Sequence, residues 1–295
     1  MTGMHALIQA IILGILTGGV YALMASGQTL IFGIMKIVNL AQGALVVLGA
    51  YLTFTLFTTF GLDPFLSIVI TTPLLFLVGV VVQRVLIRPL RGSDIAELSL
   101  LVTFAVALAI EGALSFAYGS TLTNVQPSYA NSSWTVFGYQ VSVVRFIAFL
   151  LSLVLLAALS LILQRTKFGR SVRATVQNPA SAELLGVNAS RVSAIGFGLG
   201  AATAAAAGSV FGMLNAFNPG SHYDLISRLL TVVVLGGLGS IGGSVVAALV
   251  MGVASSIVSA EAAPIWGDFT FFVVLLLVLL LRPRGLFGAR VRGAL

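Results

Sequence analysis

Cysteine is absent from the 295-residue sequence, and histidine occurs only twice. Without cysteine the chain has no disulfide bonds and no thiolate metal ligands, and His5 and His222 lie too far apart in sequence to suggest a metal centre. Charge is scarce too, because 8% of the residues are charged whereas 59% are hydrophobic. A water-soluble domain of this length and composition would expose large apolar patches, so the expected solvent is a lipid bilayer.

Lysine is nearly absent, which bears on catalysis. Its two occurrences, Lys36 and Lys167, both lie outside any G-x-x-x-x-G-K-[ST] phosphate-binding loop. The chain is therefore not expected to hydrolyse ATP, and no cofactor is expected in it. The basic residues flank apolar stretches, which is typical of cytoplasmic anchors of membrane helices rather than of a nucleic-acid-binding surface.

Apolar residues occur in blocks of about 20, the length that a helix needs to cross a bilayer, whereas β-barrel strands would alternate apolar and polar residues. The sequence therefore predicts an all-α polytopic membrane protein. Eight blocks have full length, at residues 6–24, 39–59, 65–87, 97–118, 145–164, 191–213, 242–260 and 266–281. Two shorter apolar segments, at 26–36 and 226–238, are predicted to be short, broken or re-entrant helices.

The distribution of the thirteen arginines and two lysines predicts the topology. If only the eight full blocks cross, 9 basic residues face the cytoplasm and 6 face outward, whereas ten crossings give 13 against 2. The positive-inside rule favours ten crossings, with the N- and C-termini both cytoplasmic. Residues 1–295 then form a single transmembrane domain with a cytoplasmic segment at 165–190 and an extracytoplasmic loop at 119–144.

The two short segments are about 16 to 20 Å long as helices, too short to cross lipid unaided. Such segments are tolerated at membrane depth where protein covers them or where they line a wet cavity, so they indicate a transport route. Three amides around the first segment are predicted to line that route: Gln28, Asn39 and Gln42. Glycines are predicted to serve packing or hinging beside these segments: Gly33, Gly236, Gly237, Gly239, Gly242 and Gly243.

Glu111 is the one carboxylate well inside a predicted span, where an acid is costly and is read as functional. Three roles stay open for it: lining the route or engaging a substrate amine, a static hydrogen bond, or proton coupling. Arg145, near the outer end of the next span, is a possible partner.

The cytoplasmic segment contains a predicted helix of two turns. Asn178 suits the N-cap, Pro179 the first helical position, and Gly186 the left-handed residue after the helix. Leu184 and Leu185, with Glu183 nearby, suit docking into a groove on a cytoplasmic protein that moves the helices. The alternative is an ordinary interfacial helix that lies on the membrane.

Four motifs in order resemble those of the branched-chain amino acid permeases of the LivH type, over nearly the whole chain. They are Tyr21-Ala22-Leu23 with Phe32 to Gly43, Val172 to Asn188, Val234 to Gly243, and Arg282 to Gly288. The second is similar to that family's coupling-helix region, so the resemblance implies contacts to an ATPase at Asn178, Pro179, Ala182, Glu183, Leu184, Leu185 and Gly186. One departure is Asn39-Leu40-Ala41-Gln42-Gly43, where many relatives carry Asn-Phe-Ala-His-Gly.

The resemblance implies a subunit of an ABC importer in the bacterial inner membrane. Its expected partners are a related second permease in a heterodimer, two cytoplasmic ATPases that hold the ATP and magnesium, an extracytoplasmic solute-binding protein and membrane lipid. Branched-chain amino acids are the default substrate, with other amino acids, amides and urea as alternatives. Two competing hypotheses are a proton-coupled secondary transporter that uses Glu111 and a membrane scaffold that transports nothing.

Overall fold

A computed structural model describes residues 2–90, 94–282 and 285–286. Within these residues, eight helices are long and apolar enough to cross a membrane, as the sequence predicted. They are α1 (Thr2–Met35), α2 (Gln42–Phe60), α3 (Pro64–Val82), α4 (Ile95–Tyr118), α5 (Val143–Arg165), α8 (Ala189–Leu214), α10 (Ile241–Glu261) and α11 (Pro264–Leu281). Three C-terminal arginines that the topology prediction counted lie outside the described part: Arg284, Arg290 and Arg292.

Shorter elements join these helices. They are a π-turn (Gln83–Ile87), strands β1 (Ser133–Val136) and β2 (Tyr139–Ser142), helices α6 (Lys167–Gln177) and α7 (Pro179–Leu184), a 3-10 turn (Pro219–Ser221) and helix α9 (His222–Gly236). The two strands form an antiparallel hairpin, an addition to the predicted all-α fold. Phe137 and Gly138 both have positive φ, at 51° and 84°, as a tight hairpin turn of the primed type requires.

The first predicted short helix, at 26–36, is not a separate element. The segment continues α1, which runs without a break for 34 residues, or about 51 Å. No proline interrupts it, and a continuous helix satisfies its own backbone hydrogen bonds at membrane depth. The second predicted short helix is confirmed as α9, although α9 begins earlier, at His222, and has 15 residues.

The protein has two ends, which we name the hairpin end and the α7 end after the elements found there. The N-terminal part of α1 lies at the hairpin end, since Gln9 Nε2 donates to the Gln140 carbonyl at 2.7 Å and His5 stacks on Tyr139. The last turns of α1 lie at the α7 end, where Leu30 and Ile34 pack with Val172 of α6. Helix α1 therefore crosses once, from the hairpin end to the α7 end.

This crossing corrects the predicted position of the N-terminus. It was expected on the same side as the segment containing α7, but it lies at the opposite end. The end of the described chain is at the α7 end, where Leu286 N donates to the Leu235 carbonyl at 2.8 Å. Within the described residues, eight long helices and α9 make nine traverses, an odd number that places the first and last described residues on opposite sides.

Helix α8 is the most deeply enclosed of the eight long helices. Its run of alanine and glycine allows close approach to α2 and α3, as small residues do in membrane bundles. Thr53 of α2 donates to Ser209 of α8 at 2.7 Å, which adds a hydrogen bond at this contact. The bundle is therefore built around α8, whose first residues follow directly on α7.

Candidate functional site

Three of the predicted route residues form a buried polar cluster, which we name the amide cluster: Gln28, Asn39 and Gln42. It sits where the linking segment 36–41 folds back beside α1. In the amide orientation that satisfies both groups, Gln28 donates to the Asn39 carbonyl at 3.0 Å and accepts from the Asn39 amide at 3.1 Å. The Gln28 side chain on α1 thus supplies the hydrogen bonds that the Asn39 backbone, which is not helical, would otherwise lack.

Gln42 extends the amide cluster to α8. Its Nε2 donates to the Gly200 carbonyl at 3.1 Å, and its Oε1 accepts from Asn39 Nδ2 at 3.3 Å. Asn39 Oδ1 accepts in turn from the Ala41 amide at 3.1 Å. Each of the three side chains is at most 1% exposed. These hydrogen bonds link α1, α2 and α8. That the three residues line a transport route stays a prediction.

Glu111, the fourth predicted route residue, lies apart from the amide cluster. Its Oε2 accepts from the Tyr223 hydroxyl at 3.1 Å and lies 3.8 Å from His222 Nε2. The expected pairing with Arg145 is wrong, because that side chain lines a polar cavity of about 420 Å³ beneath the hairpin. Tertiary structure instead brings Glu111 of α4 to the first turn of α9.

The sequence marks His222 and Tyr223 as possible contacts to a docked solute-binding protein, with loop polarity alone as the alternative, and does not predict that they meet Glu111. They read as polar residues of an outer loop, but they begin α9, and His222 is 2% exposed. The sequence signal that could have identified them is a group of polar residues directly before a short apolar segment. Glu111, which His222 faces, lies on α4 and is 111 residues away in sequence, so only the folded structure brings the two residues together.

Arg228 is a second intramembrane charge that the sequence did not mark as a site. Its guanidinium donates to the Tyr21 hydroxyl at 2.8 Å and pairs with Asp268 at 2.9 Å. These contacts join α9 to α1 and to α11. A charge at this depth needs such partners, so we assign Arg228 to holding the short helix in place.

The predicted hinge or packing glycines have different surroundings. Gly237 and Gly239 have φ of 88° and 87°, a conformation that glycine adopts without strain, and they form the turn from α9 to α10. At Gly236 an added methyl group would lie 2.5 Å from the Ser244 amide, so that position requires glycine for close packing. Nothing lies within 4 Å of a methyl group at Gly242.

The remaining two predicted glycines, Gly243 and Gly33, lie at or beside the same turn. The Gly243 amide donates to the Ser240 hydroxyl at 3.2 Å, which caps α10. Gly33 faces Gly239, and a methyl group on Gly33 would lie 3.7 Å from the Gly239 Cα. Helix α1 and the turn between α9 and α10 therefore meet through glycine at the α7 end. Hinging at any of the six positions stays a prediction.

Helix α7 has the capped structure that its sequence predicts. Asn178 Oδ1 accepts from the Ser181 amide at 3.0 Å, and Gly186 has φ of 84° after the last turn. Ala182 is buried, whereas Leu184 is 90% exposed and Leu185 82% exposed. The helix presents two large apolar side chains beyond the ends of the spans, an arrangement typical of a protein-binding surface.

Helix α6, which precedes α7, was not separately predicted. Thr166 caps it by accepting from the Gly169 amide at 3.2 Å, and Arg173 donates to the Leu163 carbonyl of α5 at 2.6 Å. Val172 of α6 packs with Leu30 and Ile34 of α1. Helix α7 contacts α6 and α8, and α6 in turn contacts α1 and α5.

Comparison with known proteins identifies the family. Residues 10–279 match the family described as branched-chain amino acid transport system / permease component. The permease protein BraD of the high-affinity branched-chain amino acid transport system of Pseudomonas aeruginosa is 30% identical, over 98% of each chain. LivH of the corresponding system of Escherichia coli K12 is 30% identical over 95% of each.

A third relative matches only part of this chain. The autoinducer 2 import system permease protein LsrC of Escherichia coli O9:H4 is 33% identical over 49% of this chain and 43% of its own length. The match to the permease family covers far more than half of the chain, and two relatives match along nearly their full length. The chain therefore belongs to the family of branched-chain amino acid transport permease components.

Proposed function

We propose that this chain, a non-enzymatic permease component of an ABC transport system, imports amino acids by alternating access. ATPase subunits bind α7 at the cytoplasmic side, and a solute-binding protein delivers the substrate at the hairpin end. A second, related permease completes the membrane domain. ATP and magnesium belong to the ATPase subunits in this scheme.

The exposure of Leu184 and Leu185 carries the proposal. Two exposed leucines on a capped helix bury their apolar surface when a protein partner covers them, which contributes favourably to binding. Ala182 anchors the opposite side of the same helix, and α6 joins it to α1 and α5. Movement of the ATPases on binding ATP then tilts the helices that flank the transport route.

The relatives support amino acids as the proposed substrate, because the two that match along nearly their full length are permease proteins of branched-chain amino acid transport systems. Family membership supports amino acids as the class. The partial match to an autoinducer 2 permease indicates that related chains serve other solutes. Branched-chain amino acids are therefore the first compounds to assay.

The alternative, a proton-coupled transporter that uses Glu111, makes a different prediction. It expects uptake by this chain alone that collapses with the proton gradient. The ABC permease instead requires the separate ATPases. Uptake in liposomes, with and without the ATPases and with and without a proton ionophore, separates the two mechanisms.

The coupling role is tested by a double variant, Glu183→Ala with Leu184→Ala, in liposomes that contain the complete transporter. Loss of a central apolar contact costs on the order of 2 kcal/mol, or roughly 30-fold in ATPase affinity. We expect weaker ATPase association and little ATP-driven uptake, while assembly stays measurable at high ATPase concentration. Ser181→Ala on the same helix is the matched control, and wild-type uptake by the double variant would contradict the assignment.

A further inference from the structure

Glu111 and His222 face each other inside the bundle in an arrangement that calls for a hydrogen-bond donor. Pro219 O, which can only accept, lies 3.1 Å from His222 Nδ1, so Nδ1 carries the proton in this contact. In the neutral ring Nε2 is then an acceptor. Among the described residues no protein group donates to this buried nitrogen, which lies 3.8 Å from Glu111 Oε2.

The position of His222 is fixed by its surroundings. Its ring contacts the Tyr223 ring, with centroids 4.0 Å apart. Its carbonyl packs on the start of α2, where a methyl group on Gly43 would lie 2.6 Å from the His222 oxygen. Close packing on two sides therefore holds Nε2 toward Glu111.

The pair lies closer to the hairpin end of α4 than to its other end. Glu111 lies seven residues before the end of α4 at Tyr118, or about 10 Å from that end of the helix. Its side chain is 26% exposed while that of His222 is 2% exposed. One acceptor is thus buried, and the other, 3.8 Å away, is partly exposed.

We propose that Glu111, His222 and Tyr223 bind the primary ammonium group of the transported solute. An ammonium group has three N–H donors and a positive charge, which satisfy the carboxylate and Nε2 together. The Tyr223 hydroxyl donates to Oε2 and orients the carboxylate. Urea and simple amides, the uncharged alternatives named above, lack this charge, so the site selects amino acids over them.

The inference rests on the proposed function and adds the recognition chemistry of the substrate. A hydrogen bond to a charged group contributes enough to change affinity about 10- to 100-fold. Glu111→Gln keeps the size of the side chain and removes the charge. We therefore expect this variant to reduce amino acid uptake at least about tenfold at limiting solute, without loss of ATP hydrolysis stimulated by the binding protein.

The test uses liposomes that contain the complete transporter, supplied with binding protein and a mixture of radiolabelled proteinogenic amino acids. The number of solutes imported per ATP hydrolysed is measured for the wild type, for Glu111→Gln and for Glu97→Gln, a matched change at the other end of α4. A low ratio in Glu111→Gln alone supports the site. An unchanged ratio, or equal loss of hydrolysis and uptake, overturns it.

A second pair of variants examines His222. His222→Gln retains an acceptor and a donor, whereas His222→Phe removes both. We expect the glutamine variant to keep most of the wild-type ratio and the phenylalanine variant to lose it. Equal ratios in these two variants would contradict a role for Nε2. Absence of ATP-driven uptake by the wild-type transporter would instead refute the proposed function itself.

Discussion

Gln42 and Glu111 are polar residues inside an apolar bundle, and their hydrogen bonds distinguish their roles. Gln42 is fully buried and bonded to Asn39 and to the Gly200 carbonyl. Glu111 is partly exposed and faces an unpartnered nitrogen of His222. A satisfied buried polar group stabilises the fold, whereas a buried polar group without a hydrogen-bond partner calls for an explanation such as a ligand.

Replacement of Gln42 by leucine is therefore expected to destabilise the protein. It leaves Asn39 Nδ2 buried without its present partner, at a cost of about 1–3 kcal/mol, whereas the Gly200 carbonyl still accepts from the Thr203 hydroxyl at 2.8 Å. Thermal unfolding of the purified protein in detergent measures the change. Gln164→Leu, at an exposed position of α5, is the control, and unchanged stability of Gln42→Leu together with lost transport would favour a role in the route.

At the scale of elements, the short helix α7 was predictable from local sequence signals. The α7 helix follows from Asn178, Pro179 and Gly186, which lie within nine residues of one another and act on the adjacent backbone. Helix α1 was divided wrongly because a drop in hydropathy near Gln28 reads as a span end. The side chain that explains this drop bonds to Asn39, beyond the helix.

The turn between α9 and α10 allows a direct comparison of two glycines. Gly236→Ala places a methyl group 2.5 Å from the Ser244 amide and is expected to destabilise by about 1–3 kcal/mol. Gly242→Ala meets nothing within 4 Å and is expected to stay within about 0.5 kcal/mol of the wild type. Thermal unfolding of the two variants gives the comparison, and equal stabilities would contradict the observed packing.

For the whole molecule, the charge distribution predicted ten crossings, whereas the described helices make nine traverses, and it carried no information on the side of the N-terminus. No lysine or arginine occurs in residues 1–35, so moving α1 leaves the count of 13 basic residues against 2 unchanged. Only the contacts of Gln9 and His5 with the hairpin determine its side. The partner of Glu111 was likewise unpredictable, because it depends on how α4 packs beside α9.

The cysteine-free chain makes this topology testable with single thiols. With the α7 end in the cytoplasm, Gly3→Cys is expected to react with a membrane-impermeant maleimide in intact cells. Lys167→Cys, at the opposite end, is expected to react only after permeabilisation. Labelling of both or neither in intact cells would contradict a single crossing by α1.

The proposed mechanism of the whole transporter depends on contact between α7 and the ATPases. A photo-crosslinking amino acid at position 184, in place of the exposed Leu184, tests this contact in the assembled complex. We predict a crosslinked product of this chain with the ATPase, whose yield changes when ATP is added, and no such product from the same probe at Leu122 at the hairpin end. Crosslinks from position 184 to lipid alone would contradict the account.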